Sequence, residues 1–221
     1  MEKETTGKRT HCIRCGRCCL GSSPTLQKED VPLVRDGHIA GKNLYTIRAG
    51  ELVWDNIIGE LKTIDQEVLK VREREGGCIY YDDKTKSCNI YEHRPAQCKA
   101  LVCWDETEFM RVYEGPKAVR RDLVHDEVIL RLIKEHEDRC SYLNLHKYAR
   151  NIKEEGEEAV QNILELLRFD YQFRPYISKR LGINAGDMDL LFGRPLIQTI
   201  EMFGLKVTRE PDGSFFLTVL K

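Results

Sequence analysis

His11-Cys12-Ile13-Arg14-Cys15-Gly16-Arg17-Cys18-Cys19 places four of the chain's nine cysteines within eight consecutive positions. Spacings of three bring successive sulfurs to one side of a tight loop, where they converge on a common centre. Adjacent Cys18 and Cys19 point different ways, so one of the two reaches elsewhere. Gly16 supplies the left-handed or close-approach backbone that a loop wrapped around an inorganic centre needs. A second set follows at Cys78, Cys88, Cys98 and Cys103. The chain reads as a thiolate cage built by its first half and supported by its second.

Bulk properties narrow the alternatives. The 221 residues suit one domain, or one with a small appendage, and can bury a core without covalent staples. The net charge of −1 removes any chain-wide argument for a nucleic-acid or acidic-membrane partner. No apolar run follows the basic residues of Met1 to Arg9, and no apolar stretch is long enough to span a bilayer. The expected compartment is the cytoplasm, where clustered cysteines more often bind metal or do redox chemistry than form disulfides. An odd cysteine count and a vicinal pair also suit a disulfide framework poorly.

Outward from the first cluster, Thr25 is the expected cap of a short helix running toward Val34 and the Asp36-Gly37 turn. Tyr45 to Trp54 reads as short extended pieces around a turn, and Leu69 to Arg72 as a strand ended by Gly76-Gly77. Cys78-Ile79-Tyr80-Tyr81 and Cys88-Asn89-Ile90-Tyr91 flank a polar turn, which predicts a hairpin with a cysteine on each arm. Pro95 fits the start of a helix that carries Cys98 and brings Cys103 near its end. From about Val119 the pattern becomes amphipathic. Helices are expected over Asp122 to Glu137, Leu143 to Ile152 and Glu157 to Phe169, and another after Asp187, with an interruption at Arg194-Pro195. Pro211-Asp212-Gly213 predicts a closing hairpin between Leu205–Val207 and Phe215–Val219. The expected fold is therefore α+β, a loop-rich cysteine cage over 1–113 packed on a helical support over 114–221 that ends in a β-hairpin.

Thiolates gather at little cost only around a cation, which lowers their pKa values and cancels their repulsion. Lys8, Arg9, Arg14 and Arg17 either offset the remaining negative charge or form a solvated basic loop. Cys12-x2-Cys15-x2-Cys18 with distant further cysteines is the spacing of [4Fe–4S] loops, although Cys19 and Leu20 stand where a ferredoxin has a spaced Cys-Pro. Two separated Cys-x2-Cys knuckles would indicate zinc, but the second set has intervals of ten, ten and five. Spacing thus ranks iron–sulfur first, zinc second and metal-free thiol redox third. Arg94 either pairs with a nearby carboxylate or donates to the sulfurs, the second being preferred. Tyr80, Tyr81, Tyr91 and Trp104 shield the centre or serve as plain core. His11 and His93 flank the cysteines as secondary candidate ligands, and Cys140 belongs to neither set.

These residues carry a resemblance. Cys12-x2-Cys15-x2-Cys18-Cys19, Gly77-Cys78, and Cys88-x-Ile90-Tyr91-x2-Arg94-Pro95-x2-Cys98-x4-Cys103 resemble the YkgJ-type cysteine-cluster family. This is the CxxCxxCC group of zinc- or iron-chelating proteins, to which the flagellin lysine N-methylases are similar. The likeness covers residues 12 to 104, and nothing comparable extends past Val119. It implies metal chelation with Cys12, Cys15, Cys18, Cys19, Cys78, Cys88, Cys98 and Cys103 as ligands, and with Tyr91 and Arg94 beside the cofactor. An iron–sulfur protein with a protein redox partner or a protein-modification substrate is the first functional expectation. A zinc-stabilised, non-catalytic interaction module is the second.

Overall fold

The computed structural model describes residues 15–220. In chain order they form α1 (Arg17–Gly21), α2 (Val31–Arg35), β1 (Leu44–Ile47), β2 (Leu52–Asp55), β3 (Glu60–Thr63), β4 (Val68–Val71), β5 (Glu73–Arg74), β6 (Gly77–Cys78), β7 (Tyr81–Asp82), β8 (Ser87–Cys88), α3 (Ala96–Ala100) and α4 (Thr107–Glu114). There follow α5 (Glu127–Arg139), α6 (Tyr142–Glu155), α7 (Glu157–Leu181), α8 (Met188–Phe192), α9 (Leu196–Thr199), β9 (Leu205–Arg209) and β10 (Phe215–Val219). The class is α+β, and every sheet among the described residues has only two strands. The chain divides into two compact units. One comprises the described residues up to Ile39 together with Lys70–Ala118, and the other comprises Ala40–Leu69 and Val119 onward.

In the first unit Leu26, Val71 and Ala118 are fully buried. Leu26 O accepts the Ala118 amide at 3.0 Å, and Pro116 O accepts that of Lys28 at 2.8 Å. Thr25 is not a helix cap, because its backbone bridges to Lys70 and its amide donates to Gln97 Oε1 at 2.8 Å. The capping position falls to Gln27, whose amide donates to Asp30 Oδ2 at 2.8 Å. Asp30 Oδ1 in turn accepts the Ala96 amide at 2.8 Å, so one buried carboxylate ties this turn to the start of α3.

The expected cysteine hairpin is corrected in its register. Glu75 and Gly76 both have positive φ, 53° and 83°, which is the geometry of a tight two-residue hairpin turn. The chain therefore reverses one step earlier than expected. Cys78 pairs with Glu73 in β5–β6, and Cys88 pairs with Tyr81 in the separate β7–β8 hairpin. Asp82 closes that second turn by accepting the Lys84 amide at 2.8 Å.

The second unit is built on α7. This helix continues well beyond Phe169 and through Pro175 to Leu181, where Gly182 adopts the left-handed conformation that ends it. Ile163, Leu164 and Leu167 of α7 pack with Leu145, Leu196, Ile200, Leu205 and Phe215. Farther along, Ile177 joins Ile133, Met188, Leu191 and Phe192. Helix α5 starts at Glu127 rather than at Asp122. Asp126 is its cap, accepting from Val128 N at 2.7 Å and Ile129 N at 3.1 Å, whereas Asp122 closes the preceding turn on Val119 N. Arg120 is 4% exposed and bridges Glu67, Glu137 and the Leu191 carbonyl, which binds the 40–69 segment to the helices of this unit. The closing hairpin forms as expected, with Phe215 opposite Arg209 and Val219 opposite Leu205.

Candidate metal centre

Helix α1 has five residues, too few to persist without tertiary support. Gly16 precedes it with φ 76° and accepts the Leu20 amide at 2.8 Å. The support comes from β6. A Cβ on Gly77 would lie 3.2 Å from the Cys19 carbonyl oxygen and 3.3 Å from the Leu20 Cα, so the two backbones meet where only glycine leaves room. This contact brings the first cysteine set to the second. Cys18 and Cys19 present their sulfurs 3.9 Å apart. Cys12, His11, Lys8, Arg9 and Arg14 lie outside the described residues. Cys15 and Arg17 are exposed.

Three cysteines of the second set share this neighbourhood: Cys78 on β6, Cys88 on β8 and Cys98 on α3. Their electrostatics record the proximity. Burial pushes the Cys98 thiol up, and the thiolate charges of Cys78, Cys88 and Cys18 push it further. Burial also raises Cys78, with Cys88 adding to it. Within the vicinal pair, the hydrogen bond between the sulfurs holds Cys18 down and Cys19 up. Cys98 and Cys78 add their charges to the rise at Cys19. Cys19, Cys78 and Cys98 thus resist ionising beside one another, the behaviour expected of ligands whose charge a cation must offset. All eight described cysteines are free thiols. Cys103 is exposed, three residues beyond the end of α3 and inside a turn bridged from Val102 to Asp105.

Arg94 lies over the Tyr91 ring with its guanidinium carbon 3.8 Å from the centroid, and its Nε donates to Tyr91 O at 2.8 Å. Its charge is felt by Cys18 and Cys98, lowering both. Tyr91 and Arg94 therefore act as a stacked pair at the edge of the thiol group. His93 stacks on His38 with ring centroids 3.5 Å apart and is turned to that partner. Tyr81 is buried, whereas Trp104 is 38% exposed and shields little.

A second cluster escaped the sequence reading. His136, Cys140 and Asp170 are buried in the helical unit with ligand atoms within 4.8 Å of one another. Here carboxylate chemistry decides the role. Asp170 Oδ1 takes His136 Nε2 and Arg174 Nε, each at 2.7 Å, and Oδ2 takes the Leu196 amide at 2.7 Å. Arg48 donates to the Cys140 carbonyl at 3.1 Å. Two guanidinium groups beside an already occupied carboxylate make this a structural clamp and a poor cation site. No local motif announces it, because His136 and Asp170 are 34 positions apart.

Fold and site together define an α+β chain that has a sulfur-rich unit and a helical unit with its own core. Residues 11–116 match the CxxCxxCC family, described as "Putative zinc- or iron-chelating domain". The match covers slightly less than half of the chain, and metal binding by the cysteine cluster is the property that the family description and the geometry share. An uncharacterized protein of Methanocaldococcus jannaschii is 34% identical over 89 residues, a match spanning 40% of this chain and 42% of that relative. No solved structure matches significantly. No helix is long and apolar enough to cross a membrane among the described residues.

Proposed function

We propose that the cysteine domain binds iron as an iron–sulfur centre, a [4Fe–4S] cluster foremost, and that the protein transfers electrons or assists a modification such as protein methylation. The observation that carries this reading is the grouping of Cys18, Cys19, Cys78, Cys88 and Cys98. An all-sulfur set of more than four exceeds the four that one tetrahedral zinc or one [4Fe–4S] cluster takes and leaves room for a second centre. The Cys12-x2-Cys15-x2-Cys18 spacing of a cluster loop is what favours iron–sulfur. Cys12, Cys15 and Cys103 complete the proposed ligand pool. When bound, such a centre supplies one-electron chemistry. Arg94 offsets thiolate charge beside it, with Tyr91 fixing the guanidinium plane. The exposed loop around Arg17 offers an approach for a protein redox partner or substrate.

A zinc-stabilised interaction module is the second reading, and one feature of the other unit favours it. The β2–β3 hairpin displays Trp54, Ile58 and Leu61 at 57%, 55% and 50% exposure, an apolar tip suited to a protein contact. Anaerobic purification followed by iron, zinc and acid-labile sulfide analysis and a visible spectrum separates the two. Iron with matching sulfide and a broad visible absorption is expected. Stoichiometric zinc without sulfide would replace the first reading by the second.

A further inference from the structure

Tyr81 faces Cys88 across the β7–β8 pair. The side chain is 7% exposed, and its hydroxyl is buried without a hydrogen-bond partner. Buried phenols normally find one, because an unmade bond costs free energy that water would otherwise have supplied. The direction of this hydroxyl is defined by Gly16: a Cβ there would overlap both the hydroxyl and the ring carbon that bears it. Gly16 therefore serves two purposes at once. Its φ of 76° turns the chain into α1, and its missing side chain lets the phenol reach beneath the backbone between Cys15 and Cys18.

The acceptors around that point are limited. The Gly16 carbonyl already takes the Leu20 amide. Among the described residues no group hydrogen-bonds the phenol, and beside the backbone carbonyls the loop presents the sulfurs of Cys15, Cys18 and Cys19 as acceptors. A neutral thiol accepts weakly, whereas a metal-bound thiolate is anionic and accepts a charge-assisted bond. We propose that Tyr81 is a positioning residue of the metal centre, its hydroxyl donating to a metal-bound thiolate of the 15–19 loop. The assignment rests on the reading that these cysteines bind metal, and it holds for zinc and iron alike. Such a bond orients the ligand sulfur and draws charge from it, which strengthens retention of the metal and alters the metal–sulfur electronic transition.

Tyr81→Phe in the full-length chain, probed with zinc and cobalt, tests the assignment. Zinc affinity, measured by competition with a chromophoric chelator, is expected to fall about tenfold. The sulfur-to-cobalt charge-transfer band of the loaded protein is expected to shift. The metal-free variant is expected to melt no lower than the metal-free parent, since the hydroxyl removed has no partner to lose. Equal losses of stability with and without metal would show that the phenol only packs, and would overturn the proposal. An unchanged affinity and band would overturn it too, provided the parent binds metal and Cys98→Ser does not. A parent that binds neither zinc nor cobalt, or a Cys98→Ser variant that binds as the parent does, defeats the metal reading itself and this assignment with it.

Discussion

The contrast between Cys98 and Cys140 shows that burial alone does not identify a ligand. Burial raises both thiols, Cys140 to about 12, but their surroundings differ. Cys98 faces the charges of three other cysteines, whereas Cys140 faces Asp170, two arginines and Glu137. Its sulfur meets the Leu166 carbonyl 3.9 Å away. Cys98→Ser is therefore expected to lose metal and, because metal binding and folding are coupled, to melt well below the parent. Cys140→Ser is expected to keep full metal content. Metal analysis and thermal melting of the two variants check this. Equal metal loss in both would place Cys140 in the centre after all.

At the scale of elements, the α5–α7 clamp governs how the helical unit responds to acid. Burial works against the Asp170 charge, but the His136 bond, Arg174 and the Leu196 amide win and hold its pKa at about 2. Burial is the leading cause that keeps the His136 ring below the ordinary imidazole range. Both folded pKa values are depressed, so each group stabilises the fold above its unfolded pKa, and that stability is lost as pH falls. The His136 contribution starts to fade near pH ~6.5, and that of Asp170 fades between roughly pH 4 and 2 and is worth about 2 kcal/mol. Melting temperature is expected to decline from pH 7 to 5, with a flatter slope in His136→Phe despite its lower overall stability. Asp170→Asn removes the buried carboxylate that takes Arg174 Nε, leaving Asp189 at 3.2 Å as its acidic partner, and is expected to cost about 3–5 kcal/mol by denaturant titration. A pH slope identical in His136→Phe and the parent would remove His136 as the titrating group.

On the scale of the whole molecule, the chain passes between its two units three times, at Ile39–Ala40, Leu69–Lys70 and Ala118–Val119. Neither unit is a continuous segment, so no single cut releases one intact. The strand β4 itself spans the middle crossing. We propose that the metal-loaded protein unfolds as one cooperative system, because local opening of either unit pulls on covalent connections to the other. Calorimetry of the loaded protein is expected to give one transition, moved downward as a whole by a chelator. Two resolved transitions, with only one of them sensitive to chelator, would show independent units.

What the sequence determined by itself was the chemistry of its first half. Chelating loops must bring donors together over a few residues, so Cys12, Cys15, Cys18 and Cys19 advertise a metal site locally, as Tyr91, Arg94, Pro95 and Cys98 do for its second half. Periodic helices and the Pro211-Asp212-Gly213 hairpin were legible for the same reason, since their patterns repeat within a few residues. Tertiary structure alone decided the rest. The Glu75-Gly76 turn moved Cys78 into an earlier hairpin, and the 40–69 segment joined the helices through Arg120 and Glu67. Packing of Ile177 with Ile133 of α5 and Met188, Leu191 and Phe192 of α8 holds the part of α7 that runs past Pro175, where a local rule ends a helix. The Asp170 clamp arises because buried polar groups pair wherever the folded chain supplies a partner, and only the fold sets the Tyr81 hydroxyl against Gly16. Those partners lie tens of residues away, beyond the reach of any local spacing.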